Sequence, residues 1–255
     1  MSILSEELNE QSLIYFSDNN PFKDERYWRN KAYEELISDK DGFPGAICDC
    51  SVLEFGIGAH QNLINISKYA SELCVLEGSS TAIYHFKEKY PDLAEKIYLV
   101  ETLFEDYNCD KAYDRIIMSF ILEHVDDPLF ILRKYRKHLS EDGKLIVVVP
   151  NSESLHRRIA YKMSLLEDME MLSEFDIKVG HQRWFNVGTL HALLRKSGYD
   201  IIDTRGLFLK PLTTSQLKEL GLGDSFYNAL GVIGYDYPEL CSSLVVVAEK
   251  SKGLE

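Results

Sequence analysis

The sequence predicts an α/β fold built on a doubly wound, mostly parallel sheet, and three observations predict it. Short apolar runs alternate with helix-period segments from residue 51 to about 150. The first run, "VLEFGIGAH" at 52–60, closes on an acid and then drops its side chains at Gly56 and Gly58. A second acid, Glu77, ends the next run, about 20 residues after the glycines.

Taken in order, residues 1–45 come before the first strand. Their stretch "NPFKDERYWRNKAYEELIS" sets Phe22, Tyr27, Trp28 and Tyr33 among charges, which reads as amphipathic helix and an N-terminal helical lid. Runs 52–55, 73–77, 97–100, 115–120 and 145–149 are short and apolar, as strands buried on both faces are. A helix is expected from "DDP": Asp127 caps the free amides, Pro128 suits the first turn, and Leu129, Leu132, Tyr135 and Leu139 share a face. Asp142-Gly143 should end it and turn into the fifth strand. Leu155, Ile159, Met163, Leu166, Met169 and Leu172 recur at near-helical spacing, so 151–180 is expected to form a helical cap, packed in the core. Three of the five methionines (Met163, Met169, Met171) lie there. A helix at 189–197 stops at Gly198, and "YDIIDTRGLFL" and "SSLVVVAEK" are closing strands. The 210–242 stretch between them is too long for a hairpin loop and is read as a second cap insertion. The domain reading is therefore a lid over 1–45 and an α/β domain over 46–255.

Composition narrows the setting. The chain has 255 residues, 28 Lys and Arg against 41 Asp and Glu, and a formal charge of −13. Such a field repels phosphate backbones and anionic lipid, so neither nucleic acid nor membrane is an expected partner. There is no long apolar span and no basic-then-apolar leader, and a cytoplasmic location is expected. The five cysteines (Cys48, Cys50, Cys74, Cys109, Cys241) form no C-x-x-C pair, so reduced thiols and no metal site are expected.

Position gives the glycines a meaning. In an open α/β sheet, ligands bind beyond the carboxyl ends of the strands, where Glu54, Gly56, Gly58 and Glu77 all fall. A bare backbone with an acid able to accept from two ribose hydroxyls fits a nucleoside cofactor. A dinucleotide would want glycine at position 61, where this chain has Gln61. Glu54 suits an ammonium or sulfonium better than a phosphate.

These residues resemble the class I S-adenosylmethionine-dependent methyltransferases, in their small-molecule branch. "VLEFGIGAH" is similar to the family's first motif and "VLEGSS" to its ribose-binding acid. "YDRIIMSFILEHVDDPLFILRKYRKHLSEDGKLIVVVPN" resembles its fourth and fifth strands, and "GHQRWFNVGTLHALLRKSGYDII" the segment before the sixth. His60 departs from the small residue common at that place. The resemblance implies a seven-stranded Rossmann-like sheet with an antiparallel closing strand, and S-adenosylmethionine as cofactor. It also implies cofactor contacts from Glu54, Gly56, Gly58, Glu77, Gly78, Thr102, Leu103, Ser119 and His124.

The expected reaction is methyl transfer to an oxygen, in preference to a nitrogen, of a small polar metabolite or sugar intermediate. For a hydroxyl acceptor, His181 in "GHQRWF" is the first candidate base and His156 the second. Arg157, Arg158 and Arg183 stand out against the acidic background, so an anionic or phosphorylated acceptor is expected. The alternatives are an NAD(P)-dependent oxidoreductase and a non-catalytic module that keeps the cofactor pocket. Monomer and homodimer are both open.

Overall fold

The computed structural model describes residues 3–16, 23–39, 42–58 and 60–252. Helices α1 (Ile3–Phe16) and α2 (Lys23–Ser38) come first. Then β1 (Ser51–Phe55), α3 (Gln61–Tyr69), β2 (Glu72–Glu77), α4 (Ser80–Lys89), α5 (Pro91–Ala94), β3 (Tyr98–Glu101), β4 (Tyr113–Ser119), α6 (Pro128–Arg136) and β5 (Leu139–Pro150) alternate. The chain continues through α7 (Leu155–Lys162), α8 (Glu174–Lys178), α9 (Val187–Lys196), β6 (Tyr199–Leu207), α10 (Thr214–Glu219), α11 (Asp224–Val232) and β7 (Ser243–Lys250).

The strands form one seven-stranded sheet in the order β3-β2-β1-β4-β5-β7-β6. β1 to β5 run parallel, and β7 inserts antiparallel between β5 and β6. The doubly wound sheet with an antiparallel closing strand is thus the one the sequence predicts. The chain leaves β1 toward β2 on one side and returns to β4 on the other, which opens a crevice above the carboxyl ends of β1 and β4.

Local chemistry places the elements. Asp127 caps α6 by accepting from Phe130 N at 2.9 Å. Asn186 and Thr189 form a capping box on α9, and Gly198 follows that helix at φ 88°. Two expectations need correction. α6 stops at Arg136, and the residues around Asp142-Gly143 are looped out inside β5, where the register jumps from Tyr113↔Leu139 to Arg115↔Lys144. The near-helical spacing over 151–180 does not make one core-packed helix: α7 ends at Lys162, Ser164 turns back at φ 58°, and Met163 is 63% exposed.

Apolar clusters cover both faces of the sheet. One of them takes Ala32, Tyr33, Leu36 and Ile37 from α2, with Val52, Val75 and Val245. α2 is therefore core as well as cover, and Leu36 and Ile37 each contribute about 1.5–3 kcal/mol by burial. Its Trp28 stacks on Tyr227 at 3.9 Å and Phe208 at 5.5 Å, and Glu25 pairs with Lys210 at 2.7 Å, which fastens α2 to the 210–242 insertion. Tyr27 is exposed, and Phe22 lies outside the described residues.

Candidate active site

The loop after β1 is shaped by two left-handed glycines, Gly56 at φ 76° and Gly58 at φ 51°. A Cβ on Gly58 would meet nothing within 4 Å, so its bare face is open. Glu77 holds this loop: Oε2 accepts from Ile57 N at 2.9 Å and Oε1 from Ser79 N at 2.7 Å. Burial raises the Glu77 carboxyl, and those amides pull it back only in part.

Next to the loop, Gly78 faces Leu103, whose Cδ2 would lie 3.2 Å from a Cβ there, and Leu8 of α1, at 3.0 Å. Thr102 N donates to Glu77 O at 2.9 Å, so β3 delivers Thr102 and Leu103 to this corner. α1 is pinned across it by Asn9, whose Oδ1 accepts from Ser79 Oγ at 2.8 Å and Thr81 N at 3.1 Å.

In the crevice, Glu54 is 2% exposed and its Oε2 has no hydrogen-bond partner. Burial pushes its carboxyl well above the usual range. The Ser119 hydroxyl, at the end of β4, and the Tyr33 hydroxyl, from α2, are likewise buried, with each other as their nearest hydrogen-bonding groups. Burial and the Glu54 charge together raise the Tyr33 phenol. His60 adopts φ 67°, which explains why a small residue is the easier choice there. Its ring packs between Phe86 and Tyr90, each 5.4 Å away, and burial lowers it to about 4.

A second polar group forms beyond β4 and β5. Glu123 is fully buried, and neither carboxylate oxygen has a partner. Burial pushes it up to about 7 against the pull of His181, Arg29 and Arg183. The His124 and His181 rings meet edge to face at 4.7 Å. Burial, with His181 adding to it, lowers His124 to about 3. Asp176 approaches His181 Nδ1 at 3.2 Å and is itself held in a capping box with Ser173. Gln182 N donates to Glu123 O at 2.8 Å, which ties the two segments together.

The structure therefore gathers Glu54, Gly56, Gly58, Glu77, Gly78, Thr102, Leu103 and Ser119 at the strand ends, and brings His124 to His181. His156 stands apart: its Nδ1 lies 3.1 Å from Ser154 Oγ, beside the Glu25–Lys210 pair, and burial lowers it to about 3. The expected basic cluster does not form. Arg157 donates to the carbonyls of Ser152 (3.1 Å), Met169 (2.8 Å) and Met171 (3.1 Å), with its guanidinium 4.2 Å over the Trp184 ring. Arg158 is spent on Glu153 O at 2.7 Å and Glu153 Oε2 at 2.6 Å. Arg183 braces the turn after β4 through the carbonyls of Leu122 (3.0 Å), Val125 and Asp126 (3.2 Å). Loops cost buried carbonyls their water, and these forked cations replace it.

Sequence reading passed over Tyr33, Asp176 and the paired role of Glu123. An acid set inside the apolar run "FILEHV" was the available signal for Glu123. Tyr33 and Asp176 carried none, because their partners are remote in sequence.

Comparison with known proteins agrees with this arrangement. A family model described as a methyltransferase domain matches residues 5–204. The (S)-tetrahydroprotoberberine N-methyltransferase of Eschscholzia californica is 28% identical over 174 residues, which is 65% of this chain and 45% of that protein. The chain thus spans about half the length of that curated relative. Among solved structures, the Burkholderia thailandensis 1,6-didemethyltoxoflavin-N1-methyltransferase, with its substrate and S-adenosylhomocysteine bound, matches with TM-score 0.61. It is 13% identical, and the match covers 98% of this chain and 89% of that one. The N-methyltransferase NodS from Bradyrhizobium japonicum, in complex with S-adenosylhomocysteine, matches with TM-score 0.57 at 13% identity, covering 98% and 97%. At these identities the structural matches speak for the fold. No helix among the described residues is long and apolar enough to cross a membrane.

Proposed function

The chain belongs to the S-adenosylmethionine-dependent methyltransferases, and from that premise we propose that it transfers the methyl group to an oxygen of a small, neutral polar acceptor. S-adenosylmethionine supplies a methyl already activated as a sulfonium. Glu54 suits such a ligand, because it leaves a buried carboxylate oxygen without a partner where an ammonium would satisfy it and a sulfonium would offset its charge, with the Tyr33 and Ser119 hydroxyls close by. Glu77 accepts from the amides of Ile57, Ser79 and Gly78, and with about four lone-pair positions on its two oxygens it keeps capacity for a ribose hydroxyl. Gly78, Leu103 and Leu8 offer an apolar corner for a flat base, with Thr102 beside it. The open face of Gly58 lets a ligand approach the backbone.

The observation that carries the oxygen reading is Glu123: a buried carboxylate with two unpartnered oxygens, beside an imidazole that Asp176 holds in place. A neutral amine needs no such group, whereas a hydroxyl gains roughly 10²–10⁴-fold from one. Holding the acceptor within about 3 Å of the methyl does most of the remaining work. His181 and Glu123 take over the role expected of His181 alone, and His156 has none. An anionic acceptor loses its support, since the guanidinium groups meant to hold it are engaged by carbonyls.

A nitrogen acceptor is the second reading, favoured by the curated relative, which is an N-methyltransferase. Labelled-methyl transfer to matched panels of hydroxyl and amine compounds tests both. Turnover of hydroxyls, with kcat lowered 10²-fold or more by Glu123→Gln at unchanged cofactor affinity, is expected. Turnover of amines alone, indifferent to Glu123→Gln, would replace oxygen by nitrogen.

A further inference from the structure

We propose that Glu123, His124 and His181 form a site for a divalent transition-metal cation at the acceptor side of the crevice. One ligand atom from each lies within 4.8 Å of the other two. A tetrahedral zinc site needs such atoms roughly 3.3 Å apart, given its usual bond lengths of about 2.0–2.2 Å, so binding a cation would draw the three side chains together by up to about 1.5 Å.

The second observation is Glu123 itself. It is fully buried, both oxygens lack partners, and it faces the two imidazoles. An acid in that state wants a cation. The imidazoles have neighbours that can orient them: Asp176 approaches His181 Nδ1 at 3.2 Å, and the backbone of Gly180 hydrogen-bonds the His124 ring. That carboxylate-or-carbonyl to histidine to metal chain is how protein sites orient their imidazoles. Arg29 and Arg183 are the neighbouring cations. Arg183 is engaged with the carbonyls of Leu122 and Asp126, and Arg29 lies 4.3 Å over the Phe120 ring, so neither guanidinium is the dedicated partner of Glu123, while Asp176 adds a second negative charge.

Two imidazoles and one carboxylate favour zinc, manganese, iron, cobalt or nickel over magnesium or calcium, which prefer oxygen ligands. Three protein ligands leave a position open. Resting on the oxygen reading above, that position is where the acceptor's hydroxyl would bind and lose its proton more easily. Cation binding itself does not depend on that reading.

The test is calorimetric titration of chelator-treated full-length protein with Zn²⁺ and Co²⁺, with and without S-adenosylhomocysteine, alongside the visible absorption of the Co²⁺ form. Near-equimolar binding is expected, with Co²⁺ bands typical of four or five ligands. Affinity should fall 100-fold or more in Glu123→Gln and in His181→Ala, and 10- to 100-fold in Asp176→Asn. Unchanged S-adenosylhomocysteine affinity shows that a variant has folded. No binding to the wild type beyond that of a Glu123→Gln/His181→Ala double variant overturns the site. Metal binding without any effect on methyl transfer upholds the site and removes its part in acceptor activation.

Discussion

Glu54 is buried at the end of β1 with an unsatisfied oxygen, and its raised pKa means the folded protein retains a proton there that the unfolded chain loses above 4.5. Stability from this group is therefore present below 4.5 and lost as pH rises through the folded value. A cationic cofactor beside it favours the charged form, so binding should expel the proton. Calorimetry of S-adenosylmethionine binding in buffers of different ionisation enthalpy should show release of up to about one proton per cofactor, and less in Glu54→Gln. Equal release by both proteins would take Glu54 out of the site. Glu77→Ala strips Ile57 N and Ser79 N of their acceptor, at about 1–3 kcal/mol for each amide left unpaired. Thermal melts should show the loss without ligand, and cofactor affinity should fall as well.

Among the elements, the segment from α7 to α8 has little regular structure and is held by Arg157 through the carbonyls of Met169 and Met171. Arg157→Met keeps the apolar stem but removes the guanidinium, and with it both the fork to the carbonyls and the stacking over Trp184. Faster amide exchange over 163–173 is expected, with acceptor KM no more sensitive to salt than in the wild type. A change in salt sensitivity would return Arg157 to the substrate. α1 crosses the Gly78 corner and is fastened by Asn9. If this helix is the lid, Asn9→Ala should quicken both association and release of S-adenosylhomocysteine in stopped-flow fluorescence, and unchanged rates would make α1 passive cover.

For the protein as one folding unit, acid is the weak side. Burial lowers His60 to about 4 and His156 to about 3, from 6.5, so the folded form refuses protons that the unfolded chain accepts below that pH. Burial alone would raise Glu25, but Lys210 and Arg29 bring it down to about 2, so its stabilisation holds above 4.5 and is lost toward 2. All three act in the same direction and His124, which burial lowers to about 3, joins them, against the opposite contribution of the raised Glu54, Glu77 and Glu123. Tm should fall steadily as pH drops from 6.5 to 4. His60 contributes on the order of 2–3 kcal/mol of that slope, so His60→Phe should flatten the decline, and an unaltered profile would contradict this assignment.

The sheet, its glycine loop after β1 and the acid of β2 were legible in the sequence because they depend on local chemistry. Apolar runs too short for helices, glycines where φ is positive, and a strand-ending acid at a set distance are all consecutive or nearly so. Asp127 capping α6 and Gly198 ending α9 belong to the same class, since a cap reaches only three or four residues. Only the tertiary structure decided the polar groups beyond β4 and β5. Arg157, Arg158 and Arg183 are neighbours in type and place, yet each turns to carbonyls that chain folding brings near. Glu123, His124 and His181 meet across 57 residues, from His124 to His181, with no spacing to announce them. Which polar groups end up buried without a partner is set by everything packed around them, and a linear pattern carries no record of that.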